Sequence, residues 1–256
     1  MPERSPGGGS PFRVCALYPD LLNIYADRGN LLVLERRCAW RGIRFELTAS
    51  GLGASLDGAA HDLYYIGGGQ DRDQRLCAED LIANKRQALH EAAARGASVL
   101  GVCGGYQLLG HSYTLGSEEI PGAGLLDLRT VREEGPRLIG NIAIEVQLGE
   151  LGGAQPGRRV LAGFENHGGR TRLGAAQPPL GRVLRGHGND GRSGGEGAIS
   201  GGVIGTYMHG PLLPKNVWFA DWLIARGTGV DPSELAGLQD GLEDLAHSSA
   251  LHAAGL

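Results

Sequence analysis

The 256-residue chain carries little net charge: 24 lysines and arginines against 28 aspartates and glutamates leave a formal −4 at pH 7. That balance offers no electrostatic footprint for nucleic acid or an anionic membrane surface. No apolar run approaches the ~20 residues that a membrane-spanning helix needs. The opening MPERSPGGGSP lacks the apolar stretch of a secretory leader, so residues 1–11 read as a disordered lead-in. Cysteine is scarce too. Cys15, Cys38, Cys77 and Cys103 form no Cys-x-x-Cys pair and keep no close spacing with histidine. Neither a metal site nor a disulfide framework is expected, and a reducing cytoplasm is the expected compartment. Finally, no Gly-Lys-Ser/Thr follows a glycine run, which excludes a P-loop.

What is present is a hydrophobic content of 41%, enough for one large domain, and 45 glycines that fall between patterned segments. Phe12 to Tyr18 reads as a strand. Asp27 to Trp40 has apolar residues at helical spacing and is closed by Gly42. Ile43–Leu47 alternates with period two, and Asp62–Ile66 is a third strand. A helix is expected over Asp80–Arg95. A strand follows at Ser98–Val102, then a glycine corner and a helix through about Leu109. This βα order with short connections predicts a mostly parallel sheet flanked by helices. Beyond about residue 125 strands dominate: Asn141–Gln147, Arg159–Phe164, Gly181–Leu184 and Gly197–Tyr207. Residues 185–196 read as a polar loop. Pro214 opens a helix, and Pro232–His247 reads as one more.

The glycine corner, Gly101-Val-Cys103-Gly-Gly105, has the G-x-nucleophile-x-G form of a nucleophile elbow. Such a turn sets its central residue at the carboxyl end of a strand and above a helix N-terminus. The free N–H groups and the dipole there lower a thiol pKa and receive an oxyanion. The other three cysteines read as core residues. A cysteine nucleophile needs a base. His209, in Gly205-Thr-Tyr-Met-His-Gly-Pro211, stands directly after the apolar pair Val203-Ile204 and is the first candidate; His167, in Glu165-Asn-His-Gly-Gly169, is its rival. The loop Gly67-Gly68-Gly69 either merely turns the chain or presents N–H groups to the thiol as an oxyanion hole.

Gly101-Val-Cys-Gly-Gly-Tyr-Gln107 with His209 resembles the class I glutamine amidotransferases, and within them the cobyric-acid-synthase-like branch. Leu22–Asn30, Ile66–Gln74, Phe164–Thr171 and Gly205–Asn216 narrow the resemblance to the glutaminase subunits of lipid II isoglutaminyl synthases. It covers residues 12–227, the expected amidotransferase domain of flavodoxin-like α/β fold with added strands in its second half. Residues 228–256 match nothing and form a C-terminal helical extension.

The resemblance implies that Cys103 attacks the side-chain amide of L-glutamine to form a thioester, with His209 as proton carrier. Gly104 and the loop of Gly68 and Gly69 would hold the oxyanion. Gln107, Asn166 and His167 would line the substrate pocket, and Arg137 would bind the glutamine carboxylate. It also implies a heterodimer with a MurT-type, Mur-ligase-like subunit. That partner would hold ATP and Mg and would amidate the D-glutamate α-carboxylate of lipid II, while this chain would need no cofactor. Many class I relatives place an orienting glutamate two residues after the histidine. Here Gly210-Pro211 stands there, so the group that orients His209 is expected from the partner subunit, with Glu165 or a backbone carbonyl as the local alternative. The rival functions are the glutaminase part of a corrinoid amidase, a cysteine hydrolase on the same fold, and a non-catalytic binding subunit.

Overall fold

A computed structural model of the chain describes residues 10–24, 27–147, 149 and 158–256. The expected lead-in falls outside these residues except for Ser10 and Pro11. The first half alternates strands and helices: β1 (Phe12–Leu17), α1 (Arg28–Trp40), β2 (Phe45–Ser50), β3 (Leu63–Ile66), α2 (Asp71–Asp80), α3 (Arg86–Ala94), β4 (Ser98–Val102) and α4 (Gly104–Leu109). The second half is mostly strands: β5 (Ser112–Leu115), β6 (Glu118–Pro121), β7 (Leu128–Arg132), β8 (Leu138–Gln147), β9 (Arg158–His167), β10 (Gly169–Leu173), β11 (Gly181–Arg185), β12 (Gly195–Glu196), β13 (Ala198–Ser200) and β14 (Val203–Thr206). Two helices, α5 (Val217–Thr228) and α6 (Gly241–Ala253), follow.

The central sheet has the order β13-β14-β4-β3-β1-β2. All its pairings are parallel except the β13–β14 edge hairpin. Its inner strands β1, β3, β4 and β14 are almost wholly buried, which is why they read as continuous apolar runs, whereas the edge strand β2 is largely exposed and alternates. Phe12, Val14, Ala16, Leu63, Tyr65, Leu100 and Val102 pack with α1 and α5. Cys15, Leu17, Tyr64, Ile66 and Val99 pack on the other side with Cys77, Ala78, Leu81 and Leu89 of the α2–α3 layer. The two cores follow from the period-two alternation of strand side chains. Two four-stranded sheets, β10-β7-β5-β6 and β12-β11-β8-β9, are added to this layer.

Several boundaries differ from the sequence expectation. The helix expected from Asp80 begins at Asp71 and passes through a π-turn at Leu81–Lys85. Lys85 is buried there and pairs with Asp80. These partners are one π-turn apart, so the irregularity lets a buried ammonium reach its carboxylate. Pro214 lies in a 3₁₀ turn (Leu213–Lys215) rather than opening α5. Pro232–Glu234 is likewise a capped 3₁₀ turn, and the last helix runs over Gly241–Ala253 instead of Pro232–His247. Strands β5, β6, β7, β10 and β12 differ from the expectation, and the single strand expected over Gly197–Tyr207 is the β13–β14 hairpin.

Helix α1 is fastened by charge to α5 and to the residue that precedes α6. The Arg37 side chain, 0% exposed, donates from Nε and Nη2 to Asp221 of α5 and from Nη1 and Nη2 to Asp240, just before α6. Arg41 adds two bonds to Asp221. Removing one partner of a buried pair leaves uncompensated charge. Arg37→Leu is therefore expected to lower unfolding free energy by about 3–5 kcal/mol, read from urea unfolding; a loss under ~1 kcal/mol would show that the cluster is a solvated pair.

Candidate active site

Cys103 sits at the tip of β4, in the centre of the sheet, and immediately precedes α4. Its backbone has φ 53° and ψ −106°, the left-handed side that non-glycine residues rarely adopt. Its neighbours hold it there. Its N–H donates to the Thr206 carbonyl of β14 at 2.8 Å, and the Gly105 N–H donates to the Gly67 carbonyl at 3.1 Å. A β-carbon on Gly105 would collide with the Ile66 carbonyl, and one on Gly101 would lie 2.7 Å from the Gly105 carbonyl. The glycines of the motif are what allow the turn to press against β3.

The thiol corner opens into a cavity of about 690 Å³ whose wall includes Gly69, Gln74, Cys103, Gly104, Gln107 and Arg137. Asn166 and His167, from the end of β9, line it as well. Gly68 does not. It lies behind the thiol, and its N–H is already donated to Asp27. Among the described residues the Gly69 and Gly104 amides have no protein acceptor, and the Gly69 nitrogen lies 3.3 Å from where a Gly104 β-carbon would stand. These two N–H groups are the pair that flanks the thiol. Arg137 is exposed at the mouth and is aimed by two bonds to Asn166, Nε to the side-chain oxygen and Nη2 to the carbonyl, both 2.8 Å.

His209 follows β14 and is fixed by a two-bond bridge with Phe164 (N–H to carbonyl 2.9 and 3.1 Å). It is buried, and its pKa is lowered to about 4. Burial is the main cause, and His167, Lys215 and Arg137 add to it. At neutral pH His209 is therefore an uncharged imidazole, the form that accepts a thiol proton. His167 differs. Its ring stacks on Tyr207 at 3.6 Å, Nδ1 lies 2.9 Å from the Gly169 carbonyl, and Nε2 lies 3.6 Å from the Glu165 carboxylate. Glu165 accepts the His187 and Gly188 N–H groups at 2.6 and 2.9 Å. The carboxylate weighed as a local acceptor for His209 is thus engaged beside the rival histidine.

Two residues that sequence reasoning passed over tie the wall together. Gln74 donates to the Gln107 side-chain oxygen at 2.7 Å, and Gln107 donates to the Tyr207 hydroxyl at 3.1 Å. Gln74 was detectable inside the Ile66–Gln74 stretch, whereas Tyr207 looked like one more strand aromatic. Cys15, Cys38 and Cys77 are buried in the core, and burial pushes Cys38 and Cys77 up to about 12. Among the described residues no group of three or more His, Cys, Asp or Glu could hold a metal ion, and no helix is long and apolar enough to cross a membrane.

A cysteine elbow at the end of a parallel strand, packed against a glycine loop at the wall of a polar cavity, is the arrangement of the class I glutamine amidotransferase fold. The chain belongs to the family of CobB/CobQ-like glutamine amidotransferase domains, whose model matches residues 13–217. It is 35% identical to the lipid II isoglutaminyl synthase (glutamine-hydrolyzing) subunit GatD of Streptococcus pneumoniae, over 86% of this chain and 82% of the relative. To the subunit of the same name from Staphylococcus aureus it is 36% identical, over 84% and 86%. A cobyric acid synthase of Pelotomaculum thermopropionicum matches at 40%, but over only 48% of this chain and 25% of that one. Among solved structures, PurLQS from Thermotoga maritima superposes with a TM-score of 0.57 at 21% identity, over 78% of this chain and 88% of that one, a likeness of fold.

The depressed pKa of His209 has a consequence for stability. The unfolded chain takes up the proton near pH 6.5 and the folded one near 4. Between those values the unfolded state binds more protons, so stability falls as pH is lowered. Urea unfolding from pH 7 to 4.5 is expected to show this loss, up to ~3 kcal/mol, and His209→Asn is expected to flatten it. An unchanged slope in the variant would place the titration elsewhere.

Proposed function

We propose that this chain is the glutamine-hydrolysing subunit of a lipid II isoglutaminyl synthase. The observation that carries the reading is the single cavity shared by Cys103, Gly69, Gly104, Gln107 and Arg137, in a chain aligned over most of its length with subunits of that name. Cys103 Sγ attacks the side-chain carbonyl carbon of L-glutamine while His209 takes the thiol proton. The carbonyl oxygen becomes an oxyanion facing the Gly69 and Gly104 amides. Collapse breaks the C–N bond, and the proton on His209 leaves with ammonia. Water, deprotonated by His209, then cleaves the thioester and releases glutamate, which restores the thiol. Arg137 takes the α-carboxylate at the mouth, and Gln107, Asn166 and His167 shape the pocket around the amide.

The relatives are named as subunits, and the partner we assign is a MurT-type, Mur-ligase-like chain. It carries ATP and Mg and uses the ammonia to convert the D-glutamate α-carboxylate of lipid II to D-isoglutamine. The work takes place in the cytoplasm, at the membrane face where a lipid-linked substrate is presented. This chain holds no cofactor of its own, so calorimetry with Mg-ATP is expected to give no heat with the isolated subunit.

Glutamate release from glutamine tests the reading. Cys103→Ala and Cys103→Ser are expected to abolish it, whereas Cys15→Ser and Cys77→Ser leave the chemistry intact; full activity in Cys103→Ala ends the proposal. Arg137 is exposed, so Arg137→Ala is expected to raise KM by ~10–100-fold, the range of a hydrogen bond to a charged group, with a smaller effect on kcat. Mass spectrometry of lipid II treated with this chain, its Mur-ligase-like partner, ATP and glutamine is expected to show a carboxylic acid turned into an amide. A corrinoid acceptor amidated instead would support the rival reading.

A further inference from the structure

The stretch Leu22–Asn30 contributes to the family resemblance, yet the proposed chemistry gives it no task. Its Leu22, Ile24 and Asp27 clasp the glycine loop beside the thiol. The Ile24 N–H donates to the Gly68 carbonyl at 3.2 Å, and the Gly68 N–H donates to Asp27 Oδ2 at 2.6 Å. A β-carbon on Gly67 would collide with the Leu22 carbonyl, and one on Gly69 with the Leu22 side chain. A β-carbon on Gly68 would stand 3.2 Å from Cβ of Cys103 and 3.3 Å from Asp27 Oδ2. One glycine therefore separates a carboxyl group from the nucleophile.

Asp27 is poorly accounted for by packing. It is 1% exposed, and its Oδ1 makes no hydrogen bond among the described residues. Burial pushes the carboxyl up to about 7, and the Gly68 N–H pulls the other way. A buried acid with one amide partner costs stability that asparagine or leucine would not. A carboxylate is, however, the stronger acceptor for a peptide N–H. That strength is useful in a run of three glycines, which has more conformational freedom than any other tripeptide. Asp27 holds the Gly67–Gly68 peptide by its N–H, and Ile24 holds the Gly68–Gly69 peptide by its carbonyl. The same first turn of α1 reaches the histidine loop: Asn30 accepts the Leu213 N–H at 2.8 Å and donates to the Tyr65 hydroxyl at 2.9 Å.

We infer that Asp27 is a positioning residue for the reaction at Cys103: its carboxylate fixes the Gly67–Gly68–Gly69 peptides so that the Gly69 N–H stays beside Gly104, where the oxyanion forms. This rests on the proposed glutaminase reading. The titratable groups around Asp27 are Tyr65, whose hydroxyl donates to the Asp27 backbone carbonyl at 3.4 Å, and Cys103 beyond Gly68; Arg28 follows on the exposed side.

Two substitutions in the full-length chain test it. Asp27→Leu keeps the bulk and removes the acceptor, and Asp27→Asn keeps a neutral acceptor. Asp27→Leu is expected to lower kcat for glutamate release by ~10²-fold, as for loss of one oxyanion donor. KM should stay within about threefold, because the α-carboxylate contacts are untouched. Asp27→Asn is expected to recover kcat to within about tenfold of the parent, and both variants to melt no lower than the parent at pH 8. A merely structural Asp27 would instead show kcat falling together with melting temperature, or kcat unchanged in Asp27→Leu; either result overturns the inference. A second readout does not depend on glutaminase activity. In the parent the Gly68 amide resonance is expected to move with pH with a midpoint near 7, and in Asp27→Asn to lose that step. A parent without glutaminase activity even in complex with its Mur-ligase-like partner would overturn the proposed function alone, while a Gly68 amide indifferent to Asp27→Asn would overturn the role given to Asp27.

Discussion

The contact on which this site depends is the approach of α4 to the end of β3, where the Gly105 backbone lies against Ile66 with no room for a side chain between them. It forces the chain to turn sharply after Val102 and places Cys103 on the left-handed side of backbone space, between two parallel neighbours. Backbone strain of this kind persists only where the surroundings over-determine it. Here the restraints are the Gly105–Gly67 and Cys103–Thr206 hydrogen bonds, one from each flanking strand end. The Cys103 thiol is thus held by the sheet itself, and the Gly69 and Gly104 amides lie against the same frame.

Around that corner the protein spends polar groups freely in its interior. Tyr207 shares its hydroxyl with Gln107 and Thr171, and Thr171 shares its own with Thr130. Glu196 is buried, accepts the Tyr207 N–H and the Thr206 hydroxyl, and is pushed up to about 8, mainly by burial. Satisfied networks of this kind rigidify a site at little net cost in stability, whereas partly satisfied ones are expensive. The glycine-rich loop between β11 and β12 is one of the suppliers: its His187 and Gly188 amides hold Glu165, and Asn189 accepts from the Tyr106 hydroxyl. A segment that looks like filler in the sequence is an internal scaffold for the histidine strand.

Much of this was legible in the sequence because it rests on local rules. Parallel strands buried on both faces read as short apolar runs, and the elbow glycines flank the nucleophile within five residues. His209 was found because a strand end is recognisable from the apolar pair before it. What stayed hidden depends on distant chain. Strands β5, β6, β7 and β10 are short and interleave polar with apolar residues, so their alternation is faint; β5 and β6 form a local hairpin, but β7 pairs with β10 across some forty residues. Gly68 and Gly69 look equivalent as letters; only the Asp27 carboxylate, some forty positions upstream, distinguishes the amide that is used from the one that stays available. The engagement of Glu165 was equally out of reach, since its donors belong to a loop beyond two further strands.

The strand that ends at Cys103 has neighbours of very different age in a growing chain. On one side β3 precedes it by about thirty residues, but on the other β14 is made roughly a hundred residues later. Until residues 203–206 emerge, β4 is an open sheet edge with an apolar sequence, and the Cys103 N–H has no Thr206 carbonyl to meet. Contacts that close such long loops form slowly, and exposed edges invite pairing with other chains. A nascent or truncated chain therefore presents an aggregation-prone apolar edge right beside Cys103, and that residue's backbone cannot take its final place before the last strand of the sheet has docked.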